Sequence, residues 1–360
     1  MKILYVAPEH VSGTLSLFKR EHERRGDICR YVTFWHSRWD FPDDICLSLS
    51  GMPNRKWIRT IRNLLGTDPH VVPSRVKNGC PPIWQPNPVV RSLFAIRDER
   101  NWRKIWRAIV EHGFLNYDII HLDGGMDFTR DARFARFMKA RGKGIVCYYH
   151  GSDLRARGLV PEVDALSDLN LTPEWDLVAL DSRLTYLYLP IDVQQFEPRV
   201  PRFKTQIRIG HAARNPLKGS DYVISAIKQL QEKYNIELVF ITNMSHHEAL
   251  IVKRTCDIFV DQLTNQGGWG YGMSAVEALA MGIPVITNIP EEMHRFIGIH
   301  PFIQAEPDTL VSVIERCVNS PDWLREVSIE GRAWVEERHD VVNVVDCLYS
   351  CYRSKGWLPT

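Results

Sequence analysis

Asn265-Gln-Gly-Gly-Trp-Gly-Tyr-Gly-Met-Ser-Ala-Val-Glu277-Ala-Leu-Ala-Met-Gly282-Ile-Pro284-Val-Ile-Thr287 is the stretch on which the reading of this chain turns. Four glycines, Gly267, Gly268, Gly270 and Gly272, run into an apolar helical segment that carries a single carboxylate, Glu277. Gly282 and Pro284 stop the helix, and Pro284-Val-Ile-Thr287 reads as a buried strand. Glycines let backbone N–H groups approach a ligand closely, and a helix start adds free donors and a positive dipole end. That combination suits a diphosphate. Glu277, about a turn and a half into the helix, is placed to meet the hydroxyls of an attached sugar. The same pattern also serves plain packing, with the glutamate facing water, and spacing alone leaves both readings open.

The chain has 360 residues, beyond the usual size of a single core, so two domains are expected. Its 44% hydrophobic and 24% charged residues are an ordinary globular balance. No run of eighteen apolar residues is present, which argues against a membrane-spanning helix. Met1-Lys-Ile-Leu-Tyr-Val-Ala-Pro8 reads as a first strand rather than a signal peptide. The eight cysteines form no CxxC pairs, so neither a zinc site nor a disulfide framework is expected, and reduced thiols in a cytoplasmic protein account for them.

Strand and helix patterns alternate, which predicts parallel sheets covered by helices. Ile3–Val6, Asp118–His121, Gly144–Tyr149 and Trp175–Leu180 read as strands of a first domain. Thr129 to Arg141 reads as a helix with Phe134, Phe137 and Met138 apolar, and residues 66–95 read as an irregular insertion. Gln206–Gly210, Ile236–Thr242 and Asp257–Val260 read as strands of a second domain, with a helix from Tyr222 to Leu230 and helical sequence from Pro321 to Tyr352.

Asp257-Ile-Phe-Val260, the glycine loop, Val276-Glu277-Ala-Leu-Ala and Gly282-Ile-Pro-Val-Ile286 together resemble the nucleotide-sugar site of GT-B glycosyltransferases of the retaining, family-4 (glycosyl transferases group 1) type. Pro190, Asp192 and Phe196 keep the spacing of the Pro-x-Asp-x-x-x-Phe segment found at that fold's domain juncture. The resemblance covers nearly the whole chain and is strongest after residue 205. It implies an α/β GT-B architecture of two Rossmann-like, doubly wound domains facing across a cleft. The expected parts are residues 1–196 as acceptor domain, 197–340 as nucleotide-sugar domain, and 341–360 as a terminal helix crossing back to the first.

Further site residues follow from the resemblance. Arg214 and Lys218, in Gly210-His-Ala-Ala-Arg214-Asn-Pro-Leu-Lys218-Gly219, match the family's Arg…Lys-Gly element, whose two cations neutralise a leaving diphosphate. Gly270, Tyr271 and Gly272 belong to the phosphate loop, and Glu277 to the ribose contact. Relatives carry a glutamate eight positions before that residue, in Glu-x7-Glu, and here the position is Trp269, as in a divergent subgroup with Gly-Trp and Tyr-Gly. Asp261 and Gln262 are the candidates to replace it. In the first domain, His150 and Asp153 in Tyr148-Tyr-His150-Gly-Ser-Asp153 resemble the loop beside the reacting sugar, and Asp123 stands where many relatives have the second residue of a His-x-His pair. Gly13 and Thr14, with His10 a weaker candidate, resemble the small-residue loop near the donor phosphates.

The implied function is transfer of a sugar from a nucleoside diphosphate donor, such as a UDP- or GDP-sugar, to an acceptor hydroxyl in glycan biosynthesis, with retention and with no metal or cofactor. Two alternatives carry weight: a glycosyltransferase acting on a nucleic-acid base, and a sugar-nucleotide-binding protein impaired by Trp269. A nicotinamide dehydrogenase is disfavoured, since no GxGxxG follows the first strand. Residues 51–110 hold 12 basic and 3 acidic side chains, so an anionic or lipid-linked acceptor, or peripheral contact with an anionic membrane face, is expected there. Two amphipathic segments, Arg55 to Leu65 with Trp57, Ile61 and Leu64, and Trp102 to Ile109 with Trp102, Ile105 and Trp106, read either as core-facing helices with a solvated basic face or as helices docked on an anionic bilayer. No nucleic-acid-binding motif accompanies them.

Overall fold

The computed structural model describes residues 1–51, 76, 79–199, 206–213, 218–264 and 270–358. The expected amphipathic segment from Arg55 to Leu65, together with Arg214 and Trp269, lies outside the described residues. The chain divides into two compact units, Met1–Tyr188 with Val345–Thr360, and Leu189–Val344.

The first unit is built on a parallel sheet. Its strands are β1 (Lys2–Ala7), β2 (Ile28–Thr33), β3 (Ile45–Cys46), β4 (Ile119–Asp123), β5 (Gly144–Tyr148), β6 (Leu169–Thr172) and β7 (Leu184–Tyr186), with α1 (Thr14–Arg24), α2 (Pro88–Glu111) and α3 (Arg133–Lys139) among their connections. The sheet order is β3-β2-β1-β4-β5-β6-β7. β1 pairs in parallel with β2 on one side and with β4 on the other, so the winding reverses beside β1. β5 is buried throughout and β1 from Ile3 onward, as parallel strands covered on both faces must be. Leu4, Val6, Ile120, Leu122, Ile145 and Cys147 meet Phe114, Phe128 and Phe134 in one core.

Two expectations fail here. Residues 66–95 are not irregular throughout, because α2 begins at Pro88. Asn87 accepts a hydrogen bond from the Val90 N–H at 2.9 Å, and Pro88 fills the first helical position, where no N–H is needed. Trp175–Leu180 is not a strand. Trp175–Val178 is a short helical turn after Pro173, and the strands lie on either side of it. A short apolar run fits both periods, and the length left between β6 and β7 decides it. The helix expected from Thr129 starts at Arg133, with Phe134 and Met138 buried and Phe137 40% exposed.

The second unit repeats the pattern. Its strands are β8 (Ile207–Ala212), β9 (Ile236–Ile241), β10 (Ile258–Val260), β11 (Val285–Thr287) and β12 (Ile303–Gln304), in the order β12-β11-β10-β8-β9. The helices that matter below are α4 (Ser220–Leu230), α5 (His246–Lys253) and α6 (Met273–Ala280). α5 opens with a reciprocal cap between Ser245 and Glu248. The Pro321–Tyr352 segment forms two helices, α7 (Pro321–Arg338) and α8 (Val341–Ser354), broken at His339 and Asp340. No described helix is long and apolar enough to cross a membrane. Among the described residues no disulfide forms, and all eight cysteines are free.

Residues 345–357 are tied into the first unit by a buried polar chain. His22 Nε2 pairs with the Tyr5 hydroxyl and His22 Nδ1 with the Tyr349 hydroxyl, both at 2.8 Å. Tyr349 also donates to Asp27, and Tyr352 pairs with His121. Burial holds His22 neutral at ordinary pH, with its pKa lowered to about 4. Tyr349→Phe strands one side of a buried imidazole. Urea unfolding of this variant is expected to show a loss of about 1–3 kcal/mol, and an unchanged midpoint would mean that this segment is not integral to the unit.

Candidate functional site

The winding of the second sheet reverses between β8 and β10, and the carboxyl ends of the strands at such a point form the usual ligand crevice of an open α/β sheet. The chemistry of this unit gathers there. Asp261 follows β10 and is fully buried. Its Oδ1 takes the Lys218 ammonium at 2.5 Å, and its Oδ2 accepts the Gly272 N–H at 2.8 Å. Burial works to raise the Asp261 pKa, but Lys218 and the Gly272 N–H outweigh it, so the carboxyl stays ionised below its usual range. A lysine and a helix-start amide, both expected to face phosphate, are therefore joined by one internal carboxylate. His211 supports the arrangement: Nδ1 bonds the Val260 carbonyl at 2.8 Å and Nε2 the Ser220 hydroxyl at 3.0 Å.

The approach to α6 depends on glycine. Gly270 has φ 81°, and a Cβ there would collide with the Met293 sulfur. Its carbonyl accepts from the Thr287 hydroxyl at 2.7 Å, which ties the loop to β11. Gln262 is buried and gives its carbonyl to the Asn288 N–H and the Thr287 hydroxyl, so its backbone serves the same junction. Tyr271 is set in an aromatic cluster. Its ring stacks on Phe302 at 4.6 Å and its hydroxyl bonds His339 Nε2 at 3.1 Å.

One and a half turns into α6, Glu277 does not face open water. Oε2 binds the Lys253 ammonium at 2.5 Å, and Oε1 binds His246 Nε2 at 2.8 Å. Lys253 is 1% exposed and also donates to the Ser274 carbonyl and hydroxyl. Burial pushes the Glu277 pKa up, and Lys253 with His246 reverses this and lowers it to about 2. The carboxylate is held charged and oriented, with lone pairs left for a further donor. Nothing in the sequence marked Lys253 or His246. Lys253 reads as an ordinary cation in a last helical turn.

In the first unit the reversal lies between β1 and β4. Asp123 ends β4, and His150 stands two residues past β5. His150 Nε2 meets Asp123 Oδ1 at 2.9 Å, while Asp153 accepts the His150 N–H at 3.0 Å and faces Arg157 at 3.4 Å. Burial lowers the His150 pKa, but Asp123 first, then Asp153 and Glu174, overcome it and raise it to about 9. The imidazolium form is thus the resting form at neutral pH. Gly13 (φ 75°) opens α1, and the Thr14 hydroxyl bonds Ser12 at 3.1 Å. Thr14, Asp123, Tyr148 and the rings of Tyr5 and Phe18 lie together, and the buried Tyr148 hydroxyl has no hydrogen-bond partner among the described residues. Sequence reasoning passed over Tyr148 because it reads as a core strand residue. His10 is fully buried, with Nδ1 on the Pro42 carbonyl at 3.0 Å. His121 is likewise turned inward to Tyr352.

No protein-family profile matches the chain. Over 196 residues it is 24% identical to MMP alpha-(1->4)-mannosyltransferase of Mycolicibacterium hassiacum, a match covering 47% of this chain and 46% of that protein. The chain thus spans about half the length of the curated relative it matches. Among solved structures it resembles sucrose-phosphate synthase from Thermosynechococcus elongatus, with a TM-score of 0.59 and 14% identity over 99% of each chain. It also resembles Anabaena HepE, solved with UDP and glucose, with a TM-score of 0.57 and 14% identity over 98% of this chain and 100% of the other. The two Rossmann-like parallel sheets and these likenesses establish the GT-B fold for the chain.

Lys253→Met leaves Glu277 a buried, partly unpaired charge and is expected to cost about 3–5 kcal/mol, with Lys253→Met/Glu277→Gln recovering much of it. Because folded Glu277 titrates near 2 against 4.5 when free, the pair's contribution is whole above about pH 4.5 and fades as pH falls towards 2. Chemical denaturation at stepped pH measures both effects. In the first unit, Asp123→Asn removes the main cause of the raised His150 pKa, and the ring should then titrate well below 9 by NMR. A His150 titration unmoved by Asp123→Asn contradicts the pairing.

Proposed function

We propose that the chain is a glycosyltransferase that moves a sugar from a nucleoside diphosphate donor to an acceptor hydroxyl. The observation that carries this reading is the joint placement of Lys218, the glycine-led start of α6 and the ionised Glu277 in one unit, at the reversal of its sheet. The partial identity to a mannosyltransferase and the likeness to a structure holding UDP and glucose support it.

In this reading the diphosphate lies against the start of α6, where backbone donors and the helix dipole favour negative charge. Lys218, and Arg214 outside the described residues, neutralise the charge that develops as the C1–O(phosphate) bond breaks and the diphosphate leaves with the electron pair. Glu277, fixed by Lys253, accepts from the ribose hydroxyls, and His246 on its exposed side borders the same place. The new bond forms between C1 and the acceptor oxygen, whose proton passes to the departing phosphate oxygen. The reaction retains anomeric configuration and uses these cations in place of a metal ion. In the first unit, Asp123 binds substrate hydroxyls, and the His150 imidazolium offers a positive hydrogen-bond donor.

A ligand that binds only the folded state raises its melting temperature. Thermal-shift screening against UDP, GDP, ADP, TDP and their common sugar conjugates is expected to single out one base, with the shift sharply reduced in Lys218→Ala and in Glu277→Gln. Release of the free nucleoside diphosphate from that conjugate should fall about 100-fold or more in Lys218→Ala, as for loss of one preorganised charge-stabilising donor. No shift with any member of the panel would overturn the reading.

A further inference from the structure

α2 runs 24 residues, about 36 Å at the α-helical rise, and its two faces differ in kind. The inner face carries Ile105, Ala108 and Ile109, buried in the first unit's core, with Trp102 and Trp106 packed against that core and Val90 also buried. Of the two readings the sequence left open for Trp102–Ile109, the core-facing one is what forms. The apolar side of Trp102–Ile109 is occupied by the protein itself and has no bilayer to meet.

The outer face is the unusual one. Val89 is 68% exposed, Leu93 53% and Ile96 57%, and Arg100, Arg103 and Arg107 continue the same line, also exposed. Positions 89, 93, 96, 100, 103 and 107 recur at alternating steps of four and three, which places them on one stripe of the helix. The stripe is thus apolar for its first half and cationic for its second. Among the described residues, no carboxylate pairs with Arg100, Arg103 or Arg107. The neighbouring acids are taken: Asp98 holds Arg97, and Glu99 reaches Arg133.

We infer that this stripe docks the protein on an anionic phospholipid surface, with Val89, Leu93 and Ile96 entering the headgroup–acyl boundary and Arg100, Arg103 and Arg107 meeting lipid phosphates. Charge decides among the occupants. A second copy of the chain would bring three arginines against three more. A nucleic acid would use the arginines and leave the three aliphatic side chains in water. An anionic bilayer satisfies both halves at once, since an apolar wedge and a basic flank each add to interfacial binding. The inference stands apart from the proposed transfer reaction, because no residue of the stripe belongs to either candidate site.

The test is co-sedimentation of the full chain with vesicles of phosphatidylcholine alone and of phosphatidylcholine mixed with phosphatidylglycerol. Binding is expected only to the anionic vesicles, and it should weaken as salt is raised. Leu93→Ser/Ile96→Ser and Arg103→Glu/Arg107→Glu should each reduce the bound fraction about tenfold or more. Both pairs are at exposed positions, so their melting temperatures should match the parent, and Arg325→Glu in the second unit should bind as the parent does. Absence of binding to anionic vesicles overturns the proposal, as does binding that neither double substitution reduces. Retention of duplex nucleic acid, lost with the arginine pair only and unaccompanied by vesicle binding, would assign the face to a polyanion instead. A dimer in light scattering that Leu93→Ser/Ile96→Ser dissociates would assign it to a second copy.

Discussion

The Asp261 carboxylate is the constraint around which the second unit's site is arranged. A charge with no solvent exposure survives only if its partners replace water, and here they come from two separate segments. Lys218 reaches it from the end of the loop after β8, and the Gly272 N–H reaches it from the start of α6. Burying the pair costs desolvation, so its value lies less in net stability than in fixing where loop and helix begin. Once Asp261 is placed at the end of β10, the helix bearing Glu277 is aimed, and the lysine that would meet a leaving phosphate is held beside it.

The two units solve opposite electrostatic problems. In the second, buried carboxylates are kept ionised by lysines: Asp261 by Lys218, and Glu277 by Lys253. In the first, Asp123, Asp153 and Glu174 keep His150 protonated. One unit thus offers carboxylates held by lysines, and the other a cationic donor beside a carboxylate.

The framework was legible because it rests on local signals. Gly282 with φ 70° and Pro284 end α6 where the sequence says they must, and the apolar positions of β1, β8 and β11 are buried. Trp175–Leu180 misled because six residues of mixed apolar and polar character fit helix and strand alike. The proline-rich stretch before residue 95 hid a helix start that depends on one Asn87 side chain. The partners of the candidate residues were not legible for a different reason. Lys253 lies 24 residues before Glu277 and on another helix, and Tyr148 looks like any core tyrosine until its hydroxyl is found without a hydrogen-bond partner among the described residues. Such pairings are set by topology. The same holds for α2, whose inner and outer faces both carry large apolar groups, so periodicity names two stripes and only the core shows which one is spoken for.

The most direct test of the account is where a nucleoside diphosphate binds. Titration calorimetry with the preferred nucleotide should show affinity lost in Lys218→Ala and retained in Asp123→Asn, which places the phosphates on the second unit. Affinity kept in Lys218→Ala and lost in Asp123→Asn would contradict it.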